Sequence, residues 1–360
     1  MISIQCFEGL PLKYESFLIR KYNSYITTCR YIEVYYPTSD VNYMLIYENE
    51  NIVEILVYGN EGNTTHCFNS LVDIDQKIVE EFKKIIFDKY HFIKKISIDA
   101  SYKNYKLDKS ILTFKSDDQI LNLPKTMDEY FSELSSSTRQ TYKNRKVRLL
   151  KDYPQVNFVT KYGSEIEVEL ITKIFELNND KMNHKGIPHG IDTVYKNNIY
   201  RYSQYYGCVT YIEIDGQLVA GSINSILNKG IFGHITAYNT NFSKYNVGEI
   251  CAFYLIQTSI ENGLSTFHFL WGKNDLKKRL LGKPHFLYSY LIFRTYSFDY
   301  FYTEVRIMIL HILNKFKESK ISLPLRMVIK YFYRSLNKKS GLRFFSSENL
   351  YKMRYFKLIK

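Results

Sequence analysis

Cysteine pairs and long apolar runs are the first things this 360-residue sequence lacks. Its five cysteines are odd in number and scattered, and no two of them form a CxxC pair. This pattern argues against a disulfide framework and a zinc site, and it favours free thiols in a cytoplasmic protein. No run of 18 or more apolar residues occurs, so we expect no membrane-spanning helix. The N-terminus does not join a basic segment to an apolar one, so we expect no secretory signal.

Acidic residues are scarce at the C-terminal end. Residues 301–360 hold 14 Lys and Arg against 3 Asp and Glu, so this stretch supplies +11 of the net charge of +13. Aromatics alternate with the cations there, as in KYFYR at 330–334. Such a segment suits the surface of an anionic membrane, here the inner leaflet, although it could equally pack its aromatics on the core. No recognisable nucleic-acid motif accompanies the charge, so we expect no nucleic-acid partner.

Two stretches of the chain repeat one order of predicted elements: a β-meander, a helix and a strand. They span residues 41–99 and 208–271, and the second meander turns at Asp215-Gly216, a strong hairpin pattern. The first helix opens at residues 71–75 (LVDID), where two carboxylates would repel a diphosphate. The second opens at Gly248 and leaves backbone N–H groups for an anion. If one copy binds an anionic ligand, we expect it to be the second.

Three segments carry a resemblance to a known family. They are YFSELSSSTR with YKNRKVR at 130–148, EIDGQLVAG at 213–221, and residues 238–277, which contain Gly248, Gly263, FHFLWG and Lys277. Together they resemble the CelD/BioF2-like acetyltransferases of the GNAT superfamily, which are similar to the Fem peptidyltransferases in their tandem halves. The resemblance covers roughly residues 125–295. The chain departs from the family pattern at His268, Leu276 and Val247, where Asp, Tyr and Pro are usual.

The resemblance implies an α/β (α+β) fold of tandem GNAT-like halves, with mixed, mostly antiparallel sheets flanked by helices. We expect a degenerate GNAT-like domain at residues 1–125 and a GNAT acyltransferase domain at 126–300. A basic, aromatic, helical extension is expected at 301–360.

The resemblance also implies an acyl-CoA-dependent N-acyltransferase, with acetyl-CoA as the expected donor and no metal. The acceptor would be an amino sugar or another precursor of a cell-envelope polysaccharide, free or lipid-linked, whose amine attacks the thioester directly. We expect the diphosphate to bind backbone N–H groups at the second helix start, namely Asn246, Val247, Gly248 and Glu249. The pantetheine arm would pair with a strand edge, formed by Ile235, Thr236, Ala237 and Tyr238.

Amine acylation also needs a base, because a lysine-like amine has a pKa of about 10.4. A positioned base typically accelerates such a step by about 10²–10⁴. The candidates are His234, His268 and Asp275. Strand alternation predicts that His234 shares a face with Thr236 and Tyr238. The alternatives are a structural histidine and, for Asp275, a solvated loop carboxylate.

Basic residues outside these segments are candidates for the acceptor site. Lys277 could hold a phosphate or carboxylate of the acceptor. His184 and Lys185 end the helix before the second meander and could line the pocket. Arg139 and Lys143 share one helix face and could contact a nucleotide diphosphate. For Lys277, Arg139 and Lys143, a solvated basic surface is the alternative.

Two other functions remain open at this point. A Fem-like enzyme would take its acyl group from aminoacyl-tRNA and use the basic helix and tail to bind RNA. A non-catalytic, membrane-associated envelope protein could retain the fold while His268 and Leu276 replace the usual site residues.

Overall fold

The computed structural model describes residues 2–37, 40–184, 193–271 and 275–318. Twelve strands in these ranges form one mixed sheet, in the order β1-β2-β3-β4-β5-β12-β6-β11-β10-β9-β8-β7. In chain order they are β1 (Ile2–Glu8), β2 (Asp40–Glu48), β3 (Asn51–Glu61), β4 (Thr64–Cys67), β5 (Lys95–Ser101), β6 (Ser110–Asn122), β7 (Asn157–Tyr162), β8 (Gly207–Ile214), β9 (Gln217–Leu227), β10 (Gly230–Tyr238), β11 (Thr266–Trp271) and β12 (Lys283–Phe293).

Ten α-helices of the described ranges cover this sheet. They are α1 (Glu15–Tyr22), α2 (Cys29–Tyr35), α3 (Gln76–Lys89), α4 (Met127–Glu133), α5 (Ser136–Asp152), α6 (Val168–His184), α7 (Thr193–Tyr206), α8 (Val247–Glu261), α9 (Asp275–Arg279) and α10 (Phe298–Glu318). Short 3-10 turns, among them Tyr25–Thr27 and Thr240–Tyr245, join some of them.

The predicted repeat is present. The first half runs β2, β3, β4, α3, β5, and the second runs β8, β9, β10, α8, β11. In each, the meander strands are antiparallel, and the strand after the helix pairs in parallel with the last meander strand. The mixed, mostly antiparallel α/β architecture is therefore confirmed.

The two halves exchange strands, which the sequence did not predict. Strand β12 lies between β5 and β6, and β6 pairs on its other side with β11. Each half is thus completed by a strand from the other, and one continuous sheet replaces the separate sheets that we expected. Because β6 belongs to the predicted first domain and pairs only with strands of the second, the boundaries at 125 and 300 stay a prediction.

Helix starts follow the local sequence. The Ser135 hydroxyl accepts a hydrogen bond from the Thr138 N–H (3.2 Å) and caps α5, as is usual for serine at this position. Helix α8 is apolar on almost every side and is buried along its length, which is typical of a helix inside a core. The apolar sequence of α8 therefore matches its buried position.

Helix α10 is the described part of the C-terminal extension. Tyr300 and Ile307 pack it onto Ile111, Leu291 and Phe293 of the sheet. Within the described ranges no helix combines the length and apolarity needed to cross a bilayer.

Candidate active site

Strands β10 and β11 separate after a short parallel contact and open a cleft. Their pairing covers Gly230–Phe232 against Thr266–His268 and then stops. Beyond it, β10 continues to Tyr238 and is paired only with β9, while β11 is paired on its far side with β6. One edge of β10 therefore faces the cleft, which is the geometry that lets an extended ligand add to a sheet.

His268 lies at the vertex of this cleft. It is the last residue of β11 that pairs with β10, and its imidazole stacks on the ring of Phe232, with centroids 4.4 Å apart. The imidazole Nδ1 is 2.7 Å from Oδ2 of Asp118 on β6. Because a carboxylate oxygen accepts hydrogen bonds, this contact places a proton on Nδ1, so that a neutral imidazole here would carry its lone pair on Nε2.

Asp118 is the centre of a buried polar group that we call the vertex cluster: His268, Asp118 and Tyr102. The Tyr102 hydroxyl donates to the same Oδ2 at 3.0 Å. Burial, and then the Asp118 charge, raise the pKa of Tyr102, so it stays a neutral donor. The other oxygen, Oδ1, is buried and has no hydrogen-bond partner among the described residues. Such an orphan acceptor is costly for stability, so a functional reason for it is expected.

Lys277 lies beside this cluster on α9. Its ammonium donates to the backbone carbonyls of Trp271 (2.7 Å) and Leu270 (3.1 Å). Leu270 has a φ of +54°, a backbone conformation that branched residues rarely adopt, so Lys277 holds an unfavourable bend at the end of β11. Burial lowers the pKa of Lys277 to about 8, against the opposing influence of Asp118. Its predicted contact with an acceptor anion stays a prediction.

The predicted orientation of His234 is wrong, because β10 contains a bulge. The register against β9 shifts between Gly233 and Ile235, and a bulge puts one extra residue into the strand. His234 accordingly points away from the face that carries Thr236 and Tyr238. Its Nε2 contacts the Ser225 hydroxyl at 2.7 Å, and its ring meets that of Tyr25 with centroids 4.8 Å apart; the ring centroid of Tyr25 also lies 5.3 Å from that of Phe232.

The predicted pantetheine strand is only partly free. Ile235 and Ala237 are buried in a core cluster with α6, whereas Thr236 is exposed. The ammonium of the largely buried Lys181, on α6, donates to the Thr236 carbonyl and lies 5.6 Å from the centroid of the Tyr238 ring. An incoming amide that used this carbonyl would have to share it with Lys181.

The start of α8 differs from the predicted anion cradle. The N–H of Asn246 donates to Ser243, and that of Glu249 donates back to Asn246 (both 2.9 Å). This leaves the first-turn N–H groups of Val247 and Gly248, which no carbonyl within the helix can reach. Both residues are buried, and a Cβ on Gly248 would approach Cδ1 of the Tyr238 ring to 2.7 Å. Gly248 is therefore required by the close approach of Tyr238.

A carboxylate of the chain itself lies at this helix end. The side chain of Glu249 is buried, and its Oε2 pairs with Arg145 of α5 (3.1 Å) and Arg279 of α9 (3.2 Å). The Asn246 amide donates to the same oxygen. Two half-exposed arginines and a helix N-terminus form a setting that favours an anion, and Glu249 supplies one. The sequence reasoning did not identify either arginine.

The remaining predicted residues contact other parts of the chain or lie on its surface. Arg139 donates from Nη1 to the carbonyls of Phe131 and Leu134 at the end of α4 (2.8 and 2.9 Å), and its predicted ligand contact stays a prediction. Lys143, His184 and Asp275 are exposed on α5, α6 and α9, and Lys185 lies outside the described residues. Nowhere in the described ranges do three or more His, Cys, Asp or Glu side chains come together as a possible metal site.

Comparisons with known proteins identify the second half. Residues 136–278 match the family described as "Acetyltransferase (GNAT) domain". A comparison with curated protein sequences finds no significant match.

Three solved structures share the fold. FemX is 10% identical, with a TM-score of 0.61 over 81% of this chain and 97% of its own. A conserved protein of unknown function from Bacteroides thetaiotaomicron is 12% identical (TM-score 0.51; 81% and 99% covered). L-PGS from Bacillus licheniformis is 13% identical (TM-score 0.50; 90% and 96% covered).

The family match covers residues 136–278, and the solved structures share the fold of the chain. The second half is therefore similar to a GNAT acetyltransferase domain, and the fold of the whole chain is similar to that of FemX.

Proposed function

We propose that the protein is an acyl-CoA-dependent N-acyltransferase in which His268, oriented by Asp118, is the general base. The observation that carries the proposal is the position of this pair at the vertex of the β10–β11 cleft. The parallel strands of the first half also carry an imidazole near a carboxylate, His66 with Glu61 (3.9 Å), but backbone hydrogen bonds close that junction. A base at that point can reach an amine that approaches a thioester held along β10.

The chemistry needs no covalent intermediate on the protein. The acceptor nitrogen attacks the thioester carbonyl carbon, the C–N bond forms, and the C–S bond breaks as the thiolate leaves. His268 Nε2 takes the proton that the amine loses, and Asp118 stabilises the resulting imidazolium. The proton then passes to the departing thiolate, which restores the neutral imidazole.

The donor would lie along the cleft edge of β10 between Gly233 and Tyr238, with its diphosphate near Arg145, Arg279 and the start of α8. For the diphosphate to use the arginines, Glu249 must give up its contacts with them. The proposed acceptor is an amino sugar, free or linked to a nucleotide or lipid. A basic segment at 301–360 is consistent with work at the inner leaflet of the cytoplasmic membrane.

Thermal shift with acetyl-CoA, CoA and desulfo-CoA tests the donor. A ligand at 100 times its Kd should add about 2.7 kcal/mol to the stability. Thiol release from acetyl-CoA in the presence of a panel of amino sugars then tests the reaction. If none of the three compounds shifts the melting temperature, the acyl-CoA donor is ruled out.

One observation favours a second donor class. The buried Glu249 carboxylate already neutralises the anion site at α8, and a donor without a diphosphate would leave it undisturbed. An aminoacyl-tRNA donor, as in the Fem enzymes that the sequence resembles, meets this condition. Charged tRNA that transfers its aminoacyl group to an amine, with no response to any CoA compound, would establish this alternative.

A further inference from the structure

Helix α10 carries a stripe of large apolar side chains on its outer face. Phe298, Phe301, Val305 and Met308 follow one another at spacings of three and four residues, so they share one face of the helix. They are 84%, 53%, 49% and 55% exposed, respectively. We call these four residues the α10 stripe.

The stripe is presented on a fixed helix. The opposite face packs through Tyr300 and Ile307 onto the sheet. Asp299 in the first turn lies 3.7 Å from the ammonium of Lys95, a lysine that is almost fully buried on β5. Because a buried cation needs its partner, this pair fixes the start of α10 and with it the direction in which the stripe points.

The stripe also extends beyond the helix. Tyr296, just before α10, is more than half exposed and stacks on Phe301, with centroids 6.5 Å apart. The Lys109 ammonium lies 5.4 Å from the centroid of the Tyr296 ring. Single exposed apolar residues are normal on a protein surface, but a contiguous group marks an interaction site.

Charge identifies the kind of partner. The sequence that follows α10, residues 319–360, holds 11 Lys and Arg and a single acid, Glu348. A stripe of aromatic and aliphatic side chains next to a strongly basic segment matches an anionic lipid surface. There the apolar groups enter the acyl boundary while the cations meet the head groups.

We propose that α10 lies in the plane of an anionic bilayer with Phe298, Phe301 and Met308 inserted into it. This adds a docking element to the protein that is independent of the proposed reaction. The apolar contact comes from α10, and the residues beyond 318 contribute the electrostatic attraction.

Flotation of the full chain with lipid vesicles tests the proposal. Vesicles of phosphatidylglycerol and phosphatidylcholine are compared with vesicles of phosphatidylcholine alone. The test variant is Phe298→Glu/Met308→Glu. The matched control is Leu12→Glu/Phe92→Glu, which adds the same charge at two apolar positions of similar exposure in the first half.

The wild type and the control are expected to float with the anionic vesicles only. The test variant should lose about tenfold or more of this partitioning, because two inserted side chains are replaced by charges. Melting temperatures verify that both variants fold, and Phe298→Ser serves as a milder second variant.

Three results would overturn the proposal. The wild type could fail to float, or the test variant could float as well as the wild type. Light scattering could instead reveal a dimer that the test variant abolishes, which would assign the stripe to a second copy of the chain. Thiol release from acetyl-CoA in solution, measured on the same variants, separates loss of docking from loss of the reaction.

Discussion

The two halves of the sheet share one topology and differ at the point where their parallel strands end. In the first half, the pairing of β4 with β5 ends at Cys67–Ile98. The chain then returns to β5, since Leu71 N–H donates to Ala100 (2.8 Å) and Tyr102 N–H donates to Val72 (3.0 Å). In the second half, β10 runs on beside β9 alone. The first junction is closed by backbone hydrogen bonds, and the second is open.

The side chains at the two junctions also differ, because only the open junction has an imidazole at its last parallel pair. At the last parallel pair the first half has Ile98, which is buried in the apolar core, and the second half has His268. A cleft without a titratable group could bind a ligand but could not move a proton. A titratable group without a cleft would have no access to a substrate. The open strand edge and the imidazole at the last parallel pair therefore occur together, in the second half.

Substitution of the vertex residues is expected to have the largest effect on the rate of acyl transfer. His268→Gln and Asp118→Asn should each lower kcat for acyl transfer by about 10²–10⁴, because the first removes the base and the second removes the group that orients it. His66→Gln is the matched control, since His66 lies on β4 at the closed junction. Steady-state thiol release from acetyl-CoA measures the effect. A His268→Gln enzyme within threefold of the wild type would remove His268 from the mechanism.

Much of the fold could be predicted from the sequence, because it depends on local patterns. Hydrophobic periodicity and turn residues gave both meanders, and strand β11 has the predicted bounds, 266–271. The strand exchange could not be predicted in this way. It joins β12 to β5 across nearly two hundred residues. Nothing in the sequence pattern of β12 indicates whether it pairs with a strand of the first half or of the second.

The buried lysine beside the open junction, Lys277, gives a second test of the difference between the two halves. Its pKa is lowered to about 8 from 10.5 by burial, so between these values the unfolded chain binds more protons than the folded one. Stability should therefore rise with pH across this window, by up to about 1.4 kcal/mol per pH unit. The free-energy cost of burying the charged Lys277 side chain is fully present below about pH 8, and it vanishes above about pH 10.5.

Melting temperatures of Lys277→Met measured from pH 7.5 to 9.5 check this expectation. The variant should lose the rise that the wild type shows. Lys103→Met is the control, because Lys103 follows β5 in the first half and is only partly buried beside Asp73 and Asp75. Parallel curves for the wild type and Lys277→Met would contradict the assignment.

Gly248 and Gly59 form a matched pair for the third prediction. A Cβ would approach Tyr238 Cδ1 to 2.7 Å at Gly248, and Phe68 Cζ to 2.8 Å at Gly59. Each alanine variant should therefore lose about 1–3 kcal/mol of stability through overpacking. Only Gly248→Ala should also reduce the thermal shift caused by acetyl-CoA, since Tyr238 borders the cleft. Equal thermal shifts in the two variants would show that the start of α8 does not meet the donor.

The candidate site was less predictable than the fold, for physical reasons. The bulge in β10 reversed the face of His234, because one extra residue breaks strand alternation. Asp118 lies 150 residues from His268 in sequence, and Arg145 is 104 residues from Glu249. No local spacing relates such pairs. Only the assembled sheet and helices bring them within hydrogen-bond distance.

The helix starts give the last comparison, and here the sequence contrast is smaller than expected. Asp75 caps α3 by accepting from Lys77 N–H at 2.8 Å, so the first helix has a carboxylate at its start. The second helix has one too, because Glu249 lies there with two arginines. The halves differ in that Glu249 is buried and holds cations that a diphosphate could use, whereas Asp75 is exposed.

Glu249→Gln tests whether this carboxylate takes the place of a donor diphosphate. The amide keeps the shape of the side chain but releases Arg145 and Arg279. The loss of stability should be about 1 kcal/mol, because both arginines are half exposed. Affinity for acetyl-CoA should rise up to about tenfold, most clearly at low salt, where the freed cations are least screened.

Asp75→Asn, at the exposed start of α3, should leave this affinity unchanged. Titration calorimetry at two salt concentrations measures both variants. Weaker binding by Glu249→Gln would mean that the carboxylate supports the donor site, and no binding by any variant would favour the aminoacyl-tRNA donor.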